Sequence, residues 1–426
     1  MKRKYFFLLI ISILFILHIK PVNAELQLTY NLDKVFPKRE YSFKDFGGIE
    51  RTYSLNNGCT SLCIPEFHVR GIYVTGWAAG SERMNDLIEL VENTVLNTMV
   101  IDIKDQDGYL SYISSVPLAQ EIGANKRKIS NPKALLEKLK SKNIYTIARI
   151  SVFKDEVLAK KRPDLMLRLY DSENHKIKKD TTWLNPAMEE VWEYNILLAR
   201  EAVSLGFDEI QFDYIRYPAL ANSTLIALTP DFRSKSSYIN DFVKYSVEAL
   251  ADLNVPVSID VFGLTTTVNG DMGIGQNFKE LSELVNIISP MVYPSHYSEG
   301  VYNIPEPDRE PYQVVYRSLD DALKKVNGKE GFIIRPWLQD FSLRSRYTEE
   351  DILAQIRAVE NLGLKEWLLW NPSSRYTEEA VKDHNFRSNG GLFTFLKILR
   401  SKIEKRTCIF ASSYVYYLFL IICTLR

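Results

Sequence analysis

Histidine and cysteine are scarce in this chain, with five His and four Cys among 426 residues. A barrel metallohydrolase would want clustered imidazole ligands. Here His18 falls in the first apolar run, and His68, His175, His296 and His384 are scattered. The cysteines do not form a disulfide framework. Cys408 and Cys423 sit in an apolar tail, while Cys59 and Cys63, in NGCTSLCIP, read as a local disulfide or two free thiols. No metal or other cofactor is implied. An excess of one charge is also missing: Lys+Arg and Asp+Glu both number 53. That balance gives no sign of a nucleic-acid-binding surface or an acidic tail. There is no G-x-S-x-G nucleophile elbow and no convincing dinucleotide fingerprint.

Aromatic residues, by contrast, are plentiful: 24 Tyr, 21 Phe and 6 Trp. Many suit a core, and such a supply also suits a carbohydrate cleft, where flat rings meet the C–H faces of sugars. The chain opens with Lys2, Arg3 and Lys4, an apolar run from Tyr5 to Leu17, and small residues Val22 and Ala24. Residues 1–24 therefore read as a signal peptide cut after Ala24, or alternatively as an uncleaved anchor. The expected location is secreted, or periplasmic or cell-surface. Residues 386–426 form a tail whose run 408–425 is apolar. It reads as a membrane anchor, a helix packed on the body, or a non-native tail, and membrane association rests on it alone.

Residues 25–68 are polar and turn-rich, and read as a lead-in with a short hairpin. From Val69 to about 385, apolar β-branched runs alternate with helical stretches eight times. The strands fall near 71–77, 98–104, 144–151, 209–215, 256–262, 287–293, 332–338 and 366–371. Helices fall near 82–94, 132–142, 187–205, 236–253, 279–286, 311–326, 348–361 and 376–382. Near-continuous apolar strands covered by amphipathic helices predict an α/β fold with a parallel sheet. Eight units predict a closed (β/α)8 (TIM) barrel. Helix-to-strand links are short, whereas strand-to-helix links such as 105–131, 152–186 and 216–235 are long. The long ones share one face, where barrels of this type carry their sites.

Alternation then selects the side chains that face the barrel interior. In FDEIQFDYIRYP, Gln211 and Asp213 share a face opposite Ile210 and Phe212. Ser258 and Asp260 point inward by the same logic, as do Asp102 and Lys104, with Asp105 at the rim and Arg149 on the third strand. Asp102 reads as a structural partner of Lys104 or Arg149. Strand seven ends in Gln339 and Asp340; strands six and eight supply Tyr293, His296, Trp370 and Asn371. Trp77, Trp337 and Trp370 suit packing as well as a cleft. Arg216 and Tyr217 follow the fourth strand; Arg216 is also a candidate ion-pair partner of Asp213. Two carboxylates on neighbouring strands, ~4.8 Å apart, suit glycoside cleavage, and this closeness leans towards retention.

VIDIKDQDG, FDYIRYP, SIDVFG, PMVYPSHY, RPWLQDF and LLWNP, spread from about Val69 to Thr377, carry a resemblance. Together they resemble the putative glycosyl hydrolase domain family, barrels related to the alpha-amylase superfamily. The resemblance implies a barrel and O-glycosyl hydrolysis. It sets Asp213 at the nucleophile position, Asp260 where amylase-like enzymes carry a Glu acid, and Asp340 at the third acid. Two positions depart from that pattern: Gln211 stands where the amylase-type Arg precedes the nucleophile, and Gln339 where a His precedes the third acid. The expected activity is hydrolysis of a polysaccharide or cell-wall-type glycan. Lys104, Asp105, Arg149, Arg216, Tyr217, Tyr293, His296, Trp337, Trp370 and Asn371 are expected to contact it. The alternatives are a non-catalytic carbohydrate-binding barrel and an envelope-assembly scaffold.

Overall fold

The computed structural model describes residues 40–44, 50–54, 65, 67–171, 173, 176–178, 182–220, 224–226, 233–329 and 331–382. The expected signal peptide, Cys59 and Cys63, His175, His384 and the tail with its apolar run lie outside the described residues. Among the described residues no helix is long and apolar enough to cross a membrane. Strands Glu40–Lys44 and Glu50–Ser54 pair antiparallel as a hairpin.

Eight parallel strands follow: β1 (Arg70–Val74), β2 (Thr98–Lys104), β3 (Tyr145–Ser151), β4 (Glu209–Asp213), β5 (Val257–Phe262), β6 (Ile287–Met291), β7 (Ile333–Ile334 and Trp337–Gln339) and β8 (Trp367–Trp370). Each pairs with the next, and β8 pairs with β1, so the sheet closes on itself. This is the (β/α)8 barrel that the alternating pattern predicts. Pro336 lacks an amide donor and falls at the break in β7. Helices α1 (Arg83–Glu92), α2 (Pro132–Ser141), α3 (Glu189–Leu205), α4 (Lys235–Leu250), α5 (Phe278–Leu284), α6 (Pro311–Val326) and α7 (Glu349–Asn361) cover the outside. The eighth helix, predicted at 376–382, is only a 3-10 turn, Glu378–Val381. The residues before it are tied into turns, with the Ser373 amide donating to Asn371 Oδ1 and the Thr377 amide to Asp340 Oδ2.

Local chemistry explains the element ends. Asn131 and Ser234 cap α2 and α4 by accepting from Ala134 N and Ser237 N, and Thr348 with Asp351 forms a capping box on α7. The short returns to β3, β4 and β5 each use one left-handed residue: Asn143, Gly206 and Asn254. These are residue types that adopt this conformation at low cost, so the chain reverses quickly and the helix packs close. On the outer face of β4, Phe212 meets Phe242 of α4 edge-on at 5.5 Å. Burying such a ring stabilises the layer by about 1.5–3 kcal/mol.

Inside the barrel the floor is ionic. Arg335 Nη1 lies 2.6 Å from Glu209 Oε1 and its Nε lies 2.7 Å from Glu366 Oε2. Ser258 Oγ donates to the same Glu209 oxygen at 2.6 Å. Removing the cation would leave two buried acids unpaired. Arg335→Met is expected to cost about 3–5 kcal/mol in urea unfolding; an unchanged midpoint would show that the floor does not depend on this pair.

Candidate active site

A cleft of about 800 Å³ lies over the C-terminal strand ends. Its walls include Tyr73, Trp77, Asp102, Asp105, Asp107, Lys128, Arg149, Asp213, Tyr214, Arg216, Tyr293, His296 and Trp370. Consecutive strands build its base. Asp102 on β2 is in register with Arg149 on β3, and Arg149 is in register with Gln211 on β4. Two residues further along, Asp213 faces the same way, as strand alternation requires.

Arg149 organises these groups. Its Nε donates to Asp213 Oδ2 at 3.1 Å and its Nη2 donates to the same oxygen. Its Nη1 donates to Asp102 Oδ1 at 2.5 Å. Asp260 Oδ2 stands 3.9 Å from Nε. Arg149 thus reaches Asp213 from the neighbouring strand, where it lies in register with Gln211. Asp213 Oδ1 accepts from the Tyr214 amide at 2.5 Å. Tyr214 itself has φ of 52°, a costly left-handed conformation for an aromatic residue beside a candidate reactive group. Its hydroxyl donates to Gln106 Oε1 at 2.7 Å.

The acids differ in exposure to the cleft. Asp213 and Asp102 line it, whereas Asp260 is 1% exposed and does not. Asp260 accepts from Trp337 Nε1 at 2.7 Å. Burial, then the Asp213 charge, pushes its pKa well above the ordinary carboxylate value. Burial also raises the Asp102 pKa, outweighing the opposing pull of Arg149 and of the Tyr73 hydroxyl, which donates to Oδ2. The Asp260 placement corrects the expectation that it faces a sugar directly. Trp337, 1% exposed and bonded to Asp260, is likewise absent from the cleft wall.

Other expected contacts divide by position. Asp105 lines the rim, paired with Lys128 at 2.7 Å. His296 lines the cleft with its pKa lowered by burial, then by Arg344, and so is neutral at pH 7. Tyr293 lines it too, and its hydroxyl has no hydrogen-bond partner among the described residues. Trp370 stacks on Tyr73 with ring centroids 3.8 Å apart, in the wall. Lys104 does not face the interior. A register shift between Asp102 and Lys104 reverses its phase, so it lies in register with outward Ile150. Its ammonium is 2.7 Å from Asp155 and donates to Asn195 on α3. Asp340 is also outside the cleft, with its carboxylate accepting from the Thr377 amide and hydroxyl at 2.9 Å. Asn371 is spent on the Asp340 carbonyl, and Tyr217 is buried, its amide bonded to the Ile274 carbonyl. These residues lie at or past the strand ends, where alternation no longer sets direction.

Tyr73, Lys128 and Tyr214 were not among the expected contacts, and Trp77, read as suiting either packing or a cleft, lines the cleft. Strand alternation signals Tyr73, an inward residue of β1. Trp77 is 66% exposed on the rim, suiting a sugar platform. Among the described residues no group of three or more His, Cys, Asp or Glu side chains is placed to hold a metal ion.

Comparison with known proteins bears on this site. No curated protein matches the chain. A hypothetical protein from Ruminiclostridium thermocellum is 39% identical, with 45% of this chain and 97% of that one covered, at a TM-score of 0.39. The PgaB (BpsB) glycoside hydrolase domain from Bordetella bronchiseptica is 13% identical, covering 74% of this chain and 99% of that one, at a TM-score of 0.55. That likeness establishes the shared barrel. The family model described as "Putative glycosyl hydrolase domain" matches residues 71–376, nearly the whole barrel, and the chain belongs to that family.

Proposed function

We propose that the protein hydrolyses O-glycosidic bonds in a polysaccharide or cell-wall-type glycan, with Asp213 and Asp102 as the working pair. The carrying observation is that three carboxylates share one guanidinium. If all three were ionised, the buried cluster would hold a large excess of negative charge, which is costly in a poorly solvated site. Burial raises the pKa of Asp102 and Asp260. Asp213 accepts from two nitrogens of Arg149 and opens on the cleft, which suits it to the nucleophile's role.

In this reading Asp213 attacks the anomeric carbon as the glycosidic bond breaks, and the leaving oxygen takes the Asp102 proton. Water then attacks the same carbon, gives a proton to Asp102 and frees Asp213. Two displacements retain the anomeric configuration; retention here follows from direct attack by Asp213 and not from strand spacing, because Asp102 and Asp213 lie on β2 and β4 with β3 between them. Asp260 acts through Asp213, as a neutral neighbour that adds no further negative charge. The Tyr293 hydroxyl is available to the substrate. Trp77 and Trp370 present ring surface to the sugar.

Asp213→Asn and Asp102→Asn are each expected to lower kcat by ~10²-fold or more, whereas Asp260→Asn lowers it less, as assayed on wall polysaccharides and aryl glycosides. Full turnover by Asp213→Asn sinks the reading. Tight glycan binding by the wild type without product release would favour the carbohydrate-binding alternative, which the burial of Asp260 keeps in view. Proton NMR of freshly released sugar is expected to show the anomer present in the substrate; the opposite anomer would make Asp213 a base acting through water.

The charge states also predict pH dependence. Asp260 holds its proton more tightly folded than unfolded. Its contribution is full below the ordinary value of 3.8 and is lost as pH rises through the higher folded value. Urea midpoints should therefore fall less steeply on the alkaline side in Asp260→Asn than in the wild type. Equal slopes would mean that Asp260 is ionised in the native state.

A further inference from the structure

We propose that Arg216 forms a carboxylate-binding subsite in the cleft, so that the preferred glycan carries an acidic sugar next to the bond cleaved. The inference deepens the glycoside-hydrolase reading and rests on it. Arg216 lines the same cleft as Asp213 and lies three residues beyond it.

The guanidinium is fixed before any ligand arrives. Its central carbon lies 4.3 Å from the ring centre of Phe262, 4.7 Å from Trp183 and 5.3 Å from Tyr214. Aromatic faces hold an arginine plane without consuming its in-plane donors. One donor is used inside the protein: Nη1 gives a hydrogen bond to the Tyr217 carbonyl at 2.9 Å. Among the described residues nothing accepts from Nε or Nη2, and no carboxylate pairs with Arg216. That free edge is the side-on fork, which matches the two oxygens of a carboxylate. Arg149 uses the same edge toward Asp213 within this protein.

The other cations in the cleft wall are already neutralised. Arg149 is held by Asp102 and Asp213, and Lys128 by Asp105. Arg216 is half-buried, and burial lowers its pKa against an opposing pull from Asp213. Neutral sugar hydroxyls would satisfy its donors but not its charge. A carboxylate does both. Asp213 is the nearest internal candidate, yet it already accepts from Arg149 and from the Tyr214 amide.

The test compares matched ligands by calorimetry on the full chain. Oligosaccharides containing glucuronate, galacturonate or muramate are each set against their carboxyl-reduced, neutral counterparts. For at least one pair the wild type should bind the acidic member about tenfold more tightly, as expected for a charge-assisted hydrogen-bonded pair. Raising the salt concentration should narrow that gap. Arg216→Gln should erase it, weakening the acidic member more than its neutral counterpart, and Arg216→Lys, which keeps the charge but not the fork, should restore only part. Absence of an acidic preference in every pair, or its survival in Arg216→Gln, overturns the proposal. Stronger binding of sulfated or phosphorylated oligosaccharides than of any carboxylated one also overturns it. The readout is binding, so it stands whether or not the same preparation releases product.

Discussion

The Arg149 guanidinium donates to Asp102 and Asp213 and stands 3.9 Å from Asp260, so one buried positive charge answers to three acids. Solvation and hydrogen bonding set the three acids apart. Burial favours the neutral form of Asp102 and of Asp260, while Asp213 accepts from two nitrogens of Arg149 and opens on the cleft. An acid–base pair at neutral pH needs this kind of separation. The barrel brings these acids together by setting β2 to β5 side by side.

The ionic floor and the reactive mouth have different jobs, although both are arginine–carboxylate clusters. Arg335 bridges Glu209 and Glu366 deep in the barrel, away from the cleft, and its role is structural. Arg149 lines the cleft. The same pairing chemistry is thus sealed at one depth and open to a cavity at another. What differs is the access of a ligand to the carboxylate.

Much of this was legible in the sequence because strand alternation is a strict geometric rule. Gln211, Asp213, Ser258, Asp260 and Arg149 all face the interior as the period of two requires. The rule fails where the backbone leaves it. The register shift at Asp102 turns Lys104 outward, and no residue type in VIDIKDQDG announces it. Depth is not legible either. Asp260 faces inward as expected, yet it is buried and bonded to Trp337, away from the cleft lining, a result that depends on packing across the barrel. Asp340, Asn371 and Tyr217 lie at or past the strand ends, where turns aim the side chains. The left-handed Tyr214 could not be anticipated from residue preferences, since Tyr seldom takes that conformation.

The irregularity in β2 also bears on acid strength. With ideal pleating, the ammonium of Lys104 would project beside Asp102 and give the cluster a second cation. Charge would then balance with one more ionised carboxylate, and Asp102 would give up its proton at lower pH. Sending that ammonium to Asp155 behind the sheet leaves the cluster short of positive charge. One slipped backbone position thereby withholds a second positive charge from Asp102.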